Sequence, residues 1–339
     1  MLNRPLSRWL KLVIILGILI PILIFVGYTD FQLVRIELSK IGFNFFILLV
    51  STFIAYVLGT LGWWVCLGNE RHAIKIRQLF AIRQVGETVG LYNPASVVGG
   101  DLLKAKLLSS HGVTRRKATE SVAVSRLSAM ISQVVLLIIS AIWLLIRQGE
   151  KIATVTTIAL VILITLLLAV SLITIRLLNK KTTSEKLQNP NNTTLFQNLQ
   201  TRIRKLLGQC QQFYQHQNRA FWMSFGLYFL HWIAGSMEFY LIMHFTGYDI
   251  TLMHGVLMDM GVVIIKSIAG FIPGQIGIEE LANQLVLLAV GIGTGSLWIT
   301  VSVLRRARQL CWLALSALLY LTIPKKIKTN VSINGNSIC

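Results

Sequence analysis

Twelve ionisable side chains stand inside apolar stretches of this chain: Glu87, Asp101, Lys104, Arg126, Glu238, Asp259, Lys266, Glu279, Glu280, Arg305, Arg306 and Arg308. A charge surrounded by apolar residues is costly unless it is paired or put to use, so each is a candidate for function. Asp101 follows Gly99-Gly100, and Glu279 and Glu280 follow Gly277. Each acid is therefore expected to open a helical run, where a carboxylate complements the helix dipole. The alternative is that these helix starts, with Lys104, Arg126, Lys266 and Arg305 nearby, form an anion site for a phosphate headgroup. The acids would then pair with the bases while the site is empty. Asp259 and Lys266 lie two helical turns apart on one face and are expected to answer different partners. Arg305 and Arg308 share a face, and reaching out to the membrane surface is the competing use for at least one of the last-helix arginines.

Other chemistries find no support. The six histidines make no metal-binding spacing, and no phosphate loop, nucleophile elbow or dinucleotide turn occurs. No catalytic residue, metal or cofactor is expected. Cys66, Cys210, Cys311 and Cys339 show no paired spacing, so no disulfide framework is read. The formal charge of +19 raises nucleic acid as a partner, but the basic residues lie between apolar runs without stacking aromatics. That is the pattern of topology charges rather than of a nucleic-acid surface.

The elements that must position the charges are membrane helices. Hydrophobic residues make up 54% of the chain and charged ones 13%, against roughly 25% charged in soluble domains. Apolar runs of spanning character cover 10–27, 41–67, 118–146, 152–178, 220–245 and 296–321, which predicts an all-α polytopic protein with about six transmembrane helices. The first run has Arg4, Arg8 and Lys11 ahead of it but no small-residue cleavage site, and reads as a retained helix. Two more stretches, 78–109 and 252–290, are broken by Pro94, Gly99 and Gly100 and by Pro273, Gly274 and Gly277. Arms of roughly 22 Å and 14 Å in the first fall short of a ~30 Å hydrocarbon core, so two re-entrant hairpins lining a cavity are expected, with two ordinary helical pairs as the rival reading.

Basic residues concentrate at 71–83, 104–117, 176–219 and 325–328, which places both termini in the cytoplasm by the positive-inside rule. The stretch 179–219 reads as a cytoplasmic loop with an interfacial helix, in which Leu195, Leu199, Ile203, Leu206, Cys210 and Phe213 recur among basic residues.

The broken segments also match each other. Pro94 and Pro273, Asp101 and Glu280, and Arg126 and Arg305 are each 179 positions apart, and the same shift lays Glu87 on Lys266 and the span from Ile41 on that from Ala220. The expected organisation is a first repeat over 1–147, a second over 148–326, and a cytoplasmic tail over 327–339. An odd number of crossings per half makes the repeat inverted, as in transporters. Duplication without alternating access is the simpler alternative.

The segments Pro94-Ala95-Ser96-Val97-Val98-Gly99-Gly100-Asp101-Leu102-Leu103-Lys104 and Phe271-Ile272-Pro273-Gly274-Gln275-Ile276-Gly277-Ile278-Glu279 resemble the flippase-like family that shares the membrane region of lysylphosphatidylglycerol synthases. The second half, with its Arg305-Arg306 pair, is most similar to the branch associated with hopanoid biosynthesis, and the final acid of that motif aligns with Glu279 or Glu280. Lys104 stands where the family often has Arg, and Ser125 where an acid usually precedes the arginine. The resemblance implies a lipid transporter of a bacterial inner membrane, with membrane lipids as partners and lipid-biosynthesis enzymes as further ones. Two rivals stand beside it. An aminoacyl-tRNA:phosphatidylglycerol transferase needs a soluble catalytic domain, and no extramembrane stretch here exceeds about 45 residues, short of a typical domain. The other is a non-transporting assembly factor for lipid-modifying enzymes.

Overall fold

The computed structural model describes residues 31–92, 96–148, 211–268, 277–292 and 297–323, together with the single positions Leu23, Gly27, Thr165, Arg176, Gly208 and Gln275. The expected spans at 10–27 and 152–178, most of the interfacial loop, the tail, and Pro94, Pro273 and Gly274 lie outside these residues.

Among the described residues every regular element is helical. In chain order they are α1 (Phe31–Ile41), α2 (Asn44–Cys66), a 3-10 turn (Gly68–Ala73), α3 (Ile76–Tyr92), α4 (Ser96–Ser110) and α5 (Arg115–Gln148), then α6 (Asn218–Phe245), α7 (Leu252–Ile268), α8 (Ile278–Ala289) and α9 (Leu297–Thr322). Two of them, 44–66 and 115–147, are long and apolar enough to cross a membrane by length and composition alone. The runs at 220–245 and 296–321 fall on α6 and α9. α9 misses that apolar standard for a plain reason: Arg305, Arg306 and Arg308 sit within it. Helix α1 was not expected, because its apolar residues are interleaved with Arg35, Glu37 and Lys40.

Both broken stretches fold as helical hairpins, α3 against α4 and α7 against α8. With 17 residues in α3, 15 in α4, 17 in α7 and 12 in α8, each arm is roughly 18 to 26 Å long at 1.5 Å per residue, below the ~30 Å core. The first break is shorter than expected. Gly99 and Gly100 are helical, and α4 begins at Ser96. Gly100 serves close approach instead: a β-carbon there would collide with the Gly86 carbonyl and stand 2.9 Å from the Gly90 α-carbon. A β-carbon on Gly86 would in turn strike the Lys104 side chain. Glycines thus let α3 and α4 pack backbone to backbone, as helices do where lipid supplies no hydrophobic drive between them.

The same device joins the halves. On α2, Ser51, Ala55, Gly59, Gly62 and Cys66 are buried at spacings of three or four residues. This small-residue stripe runs along α6: the Cys66 thiol donates to Ser224 Oγ at 3.2 Å, and a β-carbon on Gly62 would stand 2.9 Å from the Tyr228 ring.

The helix ends carry the internal correspondence further. α2 ends at Cys66 and α6 at Phe245, while α4 ends at Ser110 and α8 at Ala289, and each of these pairs of ends is 179 positions apart. α2 to α5 and α6 to α9 follow one another in the same order, and these two pairs of ends keep the offset while the helix starts drift from it by three to five residues.

Candidate functional site: a charged cavity beside the first hairpin

Charges from three helices converge in the first half. α3 contributes Glu87, α4 contributes Asp101 and Lys104 one turn apart, and α5 contributes Arg126. Lys104 Nζ donates to Glu87 Oε1 at 2.6 Å and to Asp101 Oδ1 at 3.0 Å. Arg126 binds Asp101 through two parallel hydrogen bonds, Nε to Oδ2 at 3.2 Å and Nη2 to Oδ1 at 2.9 Å. This is the two-pronged geometry that suits arginine to carboxylate or phosphate. Glu87 Oε2 lies 3.8 Å from Arg126 Nη2.

A second cluster occupies the other half. Lys266 on α7 donates to Glu279 Oε2 on α8 at 3.0 Å. Arg305 on α9 meets Asp259 at 2.9 Å, Glu279 at 3.2 Å and Glu238 at 4.0 Å. Arg308 pairs with Glu238 at 2.5 Å, Arg306 pairs with Glu280, and Gln309 donates to Glu279 at 2.7 Å. Four acids meet four bases here. Asp259 and Lys266 do answer different partners, and Arg305 and Arg308 turn inward to bury their charges rather than reach out to a surface.

Two expectations need correction. Asp101 does not open its helix: α4 starts at Ser96, so Asp101 lies in the second turn, too far along for a capping role. Glu279 and Glu280 do lie in the first turn of α8, which Gly277 precedes with φ +79°. The register that equates Asp101 with Glu280 also fails at the level of contacts. Asp101 holds the hairpin base and the arginine of the next helix together, and in the second half Glu279 does so, with Lys266 and Arg305. Successive helical residues point about 100° apart, so Glu280 is turned from that cluster and takes the adjacent Arg306.

A cavity of about 370 Å³ lies against the first hairpin, walled also by α2, α5, α6 and α9; the second hairpin reaches it only through Lys266, where both hairpins were expected to line it on equal terms. Asp101, Lys104, Arg126 and Lys266 line it, with Glu87, Gln84 and Gln309. Glu279, Glu280 and Arg305 do not, and belong to the packed cluster behind its wall. Aromatic side chains complete the lining, among them Tyr56, Trp63, Tyr228, Trp232 and Trp312. Their polar atoms are tied back to the frame: Trp312 Nε1 donates to Thr52 Oγ1 at 3.0 Å, Trp232 Nε1 to the Ala129 carbonyl at 2.9 Å, and His231 Nδ1 to the Ala55 carbonyl at 2.6 Å. Arg83 also lines the cavity and is buried. Sequence reasoning counted it among cytoplasmic topology charges because it closes a basic stretch. The available signal was its place four residues before Glu87, one turn away on the same face of α3.

These features define an all-α membrane protein whose interior holds paired charges around a polar and aromatic cavity. Residues 8–317 match the model of the lysylphosphatidylglycerol synthase TM region, and the chain belongs to that family. It is a multi-pass membrane protein of a family linked to lipid metabolism. No curated protein and no solved structure matches it.

Proposed function

We propose that the chain carries a lipid across a bacterial inner membrane, its headgroup passing through the cavity beside the first hairpin, without chemistry on the lipid. The observation that carries this reading is the cavity itself: a charged and aromatic chamber beside the short-armed first hairpin, reached from the second by Lys266, in a family of membrane proteins linked to lipids. Irregular backbone at membrane depth is tolerated where it lines such a space. The volume stands at the low end of the roughly 300 to 1,000 Å³ of ligand sites, which suits a headgroup with its acyl chains left in the bilayer.

The matched helix ends support a repeat, and the expected inversion gives two halves that can exchange conformations to open the cavity to either side. Cytoplasmic termini follow from the distribution of basic residues. Phospholipids and hopanoid-related lipids are the substrates in question, and lipid-biosynthesis enzymes are the partners that would supply them.

The family description favours a second reading, a membrane component of an aminoacyl-phosphatidylglycerol synthase system. Reconstitution of the purified chain with a panel of labelled lipids, scoring exchange between leaflets, separates the two. Exchange of one lipid above protein-free vesicles is expected. No exchange of any lipid, with a rise in aminoacylated lipid in cells expressing the chain, would transfer the assignment to the second reading.

A further inference from the structure

The two charge clusters differ in balance. Behind the cavity wall Glu238, Asp259, Glu279 and Glu280 meet Lys266, Arg305, Arg306 and Arg308, acid for base. On the first-half side Glu87 and Asp101 face Lys104 and Arg126 in mutual ion pairs, and Arg83 is left over. Among the described residues no carboxylate lies within 4 Å of its guanidinium.

What Arg83 does touch is weak. Nη1 reaches the Tyr56 carbonyl at 3.5 Å, and the guanidinium carbon lies 5.7 Å from the centre of the Tyr56 ring. Yet the residue is only 6% exposed. Its neighbour Glu87 is committed to Lys104. Gly59 makes room for the guanidinium, since a β-carbon there would stand 2.6 Å from Nη2. A full positive charge, held by a purpose-shaped gap at the edge of a cavity with no carboxylate within 4 Å, and facing at longer range a Glu87 already bonded to Lys104, is costly at membrane depth until an anion neutralises it.

We infer that Arg83 is the anchor for a singly charged phosphodiester headgroup, bound in the cavity with its phosphate oxygens on the guanidinium. This rests on the proposed headgroup role of the cavity and names its ligand class. The surplus is one positive charge, which matches a phosphodiester. A neutral lipid would leave Arg83 unmatched. The four paired residues shape the chamber and offer further donors, but their charges already cancel. Arginine supplies the planar fork that phosphate accepts, and the aromatic walls exclude water around it.

The test is native mass spectrometry of the full purified chain in a neutral detergent. It is titrated with dioleoyl phosphatidylglycerol, with dioleoylglycerol, which has the same chains and no phosphate, and with free glycerol 3-phosphate. The wild-type chain is expected to prefer the phospholipid. Arg83→Gln is expected to bind it about tenfold or more weakly, the scale of a lost hydrogen bond to a charged group, with dioleoylglycerol binding unchanged. Arg83→Lys keeps the charge but loses the fork, and is expected to show a smaller loss confined to the phospholipid. It is the variant to read if Arg83→Gln does not accumulate, and equal phospholipid affinity in the variant read overturns the role given to Arg83. Glycerol 3-phosphate binding as tightly as the lipid overturns a lipid as the source of the anion. Absence of saturable phospholipid binding by the wild-type chain overturns the headgroup reading itself.

Discussion

Lys266 on α7 and Glu279 on α8 stand 3.0 Å apart and join the arms of the second hairpin. The first hairpin is joined by the same bond with its charges exchanged, Glu87 on α3 to Lys104 on α4 at 2.6 Å. An ion pair between two short arms compensates charges that lipid cannot solvate, and either polarity serves that purpose. Glu279 also receives Arg305 and Gln309, so it holds α7, α8 and α9 together.

The first prediction follows from that asymmetry. Glu279→Ala leaves Lys266 and Arg305 each short of an acid, whereas Lys266→Ala leaves Glu279 with Arg305. Glu279 is well buried and Lys266 partly so, so removing Glu279 costs on the order of 3 to 5 kcal/mol and removing Lys266 less. Glu279→Ala is expected to be the more damaging, and the double variant less damaging than the sum of the two singles. Thermal unfolding in detergent measures this, and strict additivity would show that the pair does not couple.

A second prediction concerns the seam of the first hairpin. Gly100→Ala forces a methyl group against the Gly86 carbonyl, which is backbone and cannot turn aside. A cost of about 1 to 3 kcal/mol is expected from overpacking. Gly226 on α6 has nothing within 4 Å of such a methyl, and Gly226→Ala is expected to be neutral or slightly stabilising. Equal stability of the two variants would refute the close packing of α3 on α4.

The third prediction separates the two arginines that the repeat equates. Arg126 lines the cavity, while Arg305 is buried among three acids behind its wall. Arg126→Lys is expected to lower lipid exchange by about tenfold, since a lysine facing the cavity offers a bound phosphate a point charge instead of a planar fork, with a smaller fall in unfolding temperature than Arg305→Lys. Arg305→Lys is expected to lower the unfolding temperature and protein abundance first. Leaflet exchange normalised to abundance, measured beside thermal unfolding, tells the two apart. Wild-type exchange by Arg126→Lys would remove Arg126 from the transport path.

How much of this was legible in the sequence follows from burial. Asp101, Lys104, Arg126 and Lys266 stood out because a charge inside an apolar run has few explanations, and all four line the cavity. Arg83 was hidden by its flank, where Arg71, Lys75 and Arg77 make it look like the last of a loop. The roles of Gly99 and Gly100 were obscured because glycine breaks helices and also lets them touch, and only the neighbouring backbone at Gly86 and Gly90 decides between those uses. α1 escaped notice since Arg35, Glu37 and Lys40 interrupt its apolar face, although Glu37 is buried and bonds Lys40 at 2.7 Å. The choice between Glu279 and Glu280 required knowing where α8 starts, because one residue of register turns a side chain by about 100°.

The last prediction tests the inverted repeat. The 3-10 turn Gly68–Ala73 follows α2, and the turn at Thr246–Gly247 follows α6, at the two corresponding helix ends. A parallel repeat puts both turns on one face of the membrane, and an inverted repeat puts them on opposite faces. The first turn lies beside Arg71 and Lys75, and the second has no Lys or Arg nearby, so the positive-inside rule assigns His72 to the cytoplasm and Tyr248 to the outside. Both residues are partly or fully exposed, so a cysteine at either should be reachable. The experiment replaces the four native cysteines, introduces His72→Cys or Tyr248→Cys, and treats intact cells with a membrane-impermeant thiol reagent. Tyr248→Cys is expected to react in intact cells, and His72→Cys only after the membrane is opened. Reaction of both from the same side would leave the matched helices as a parallel duplication and remove the basis for alternating access.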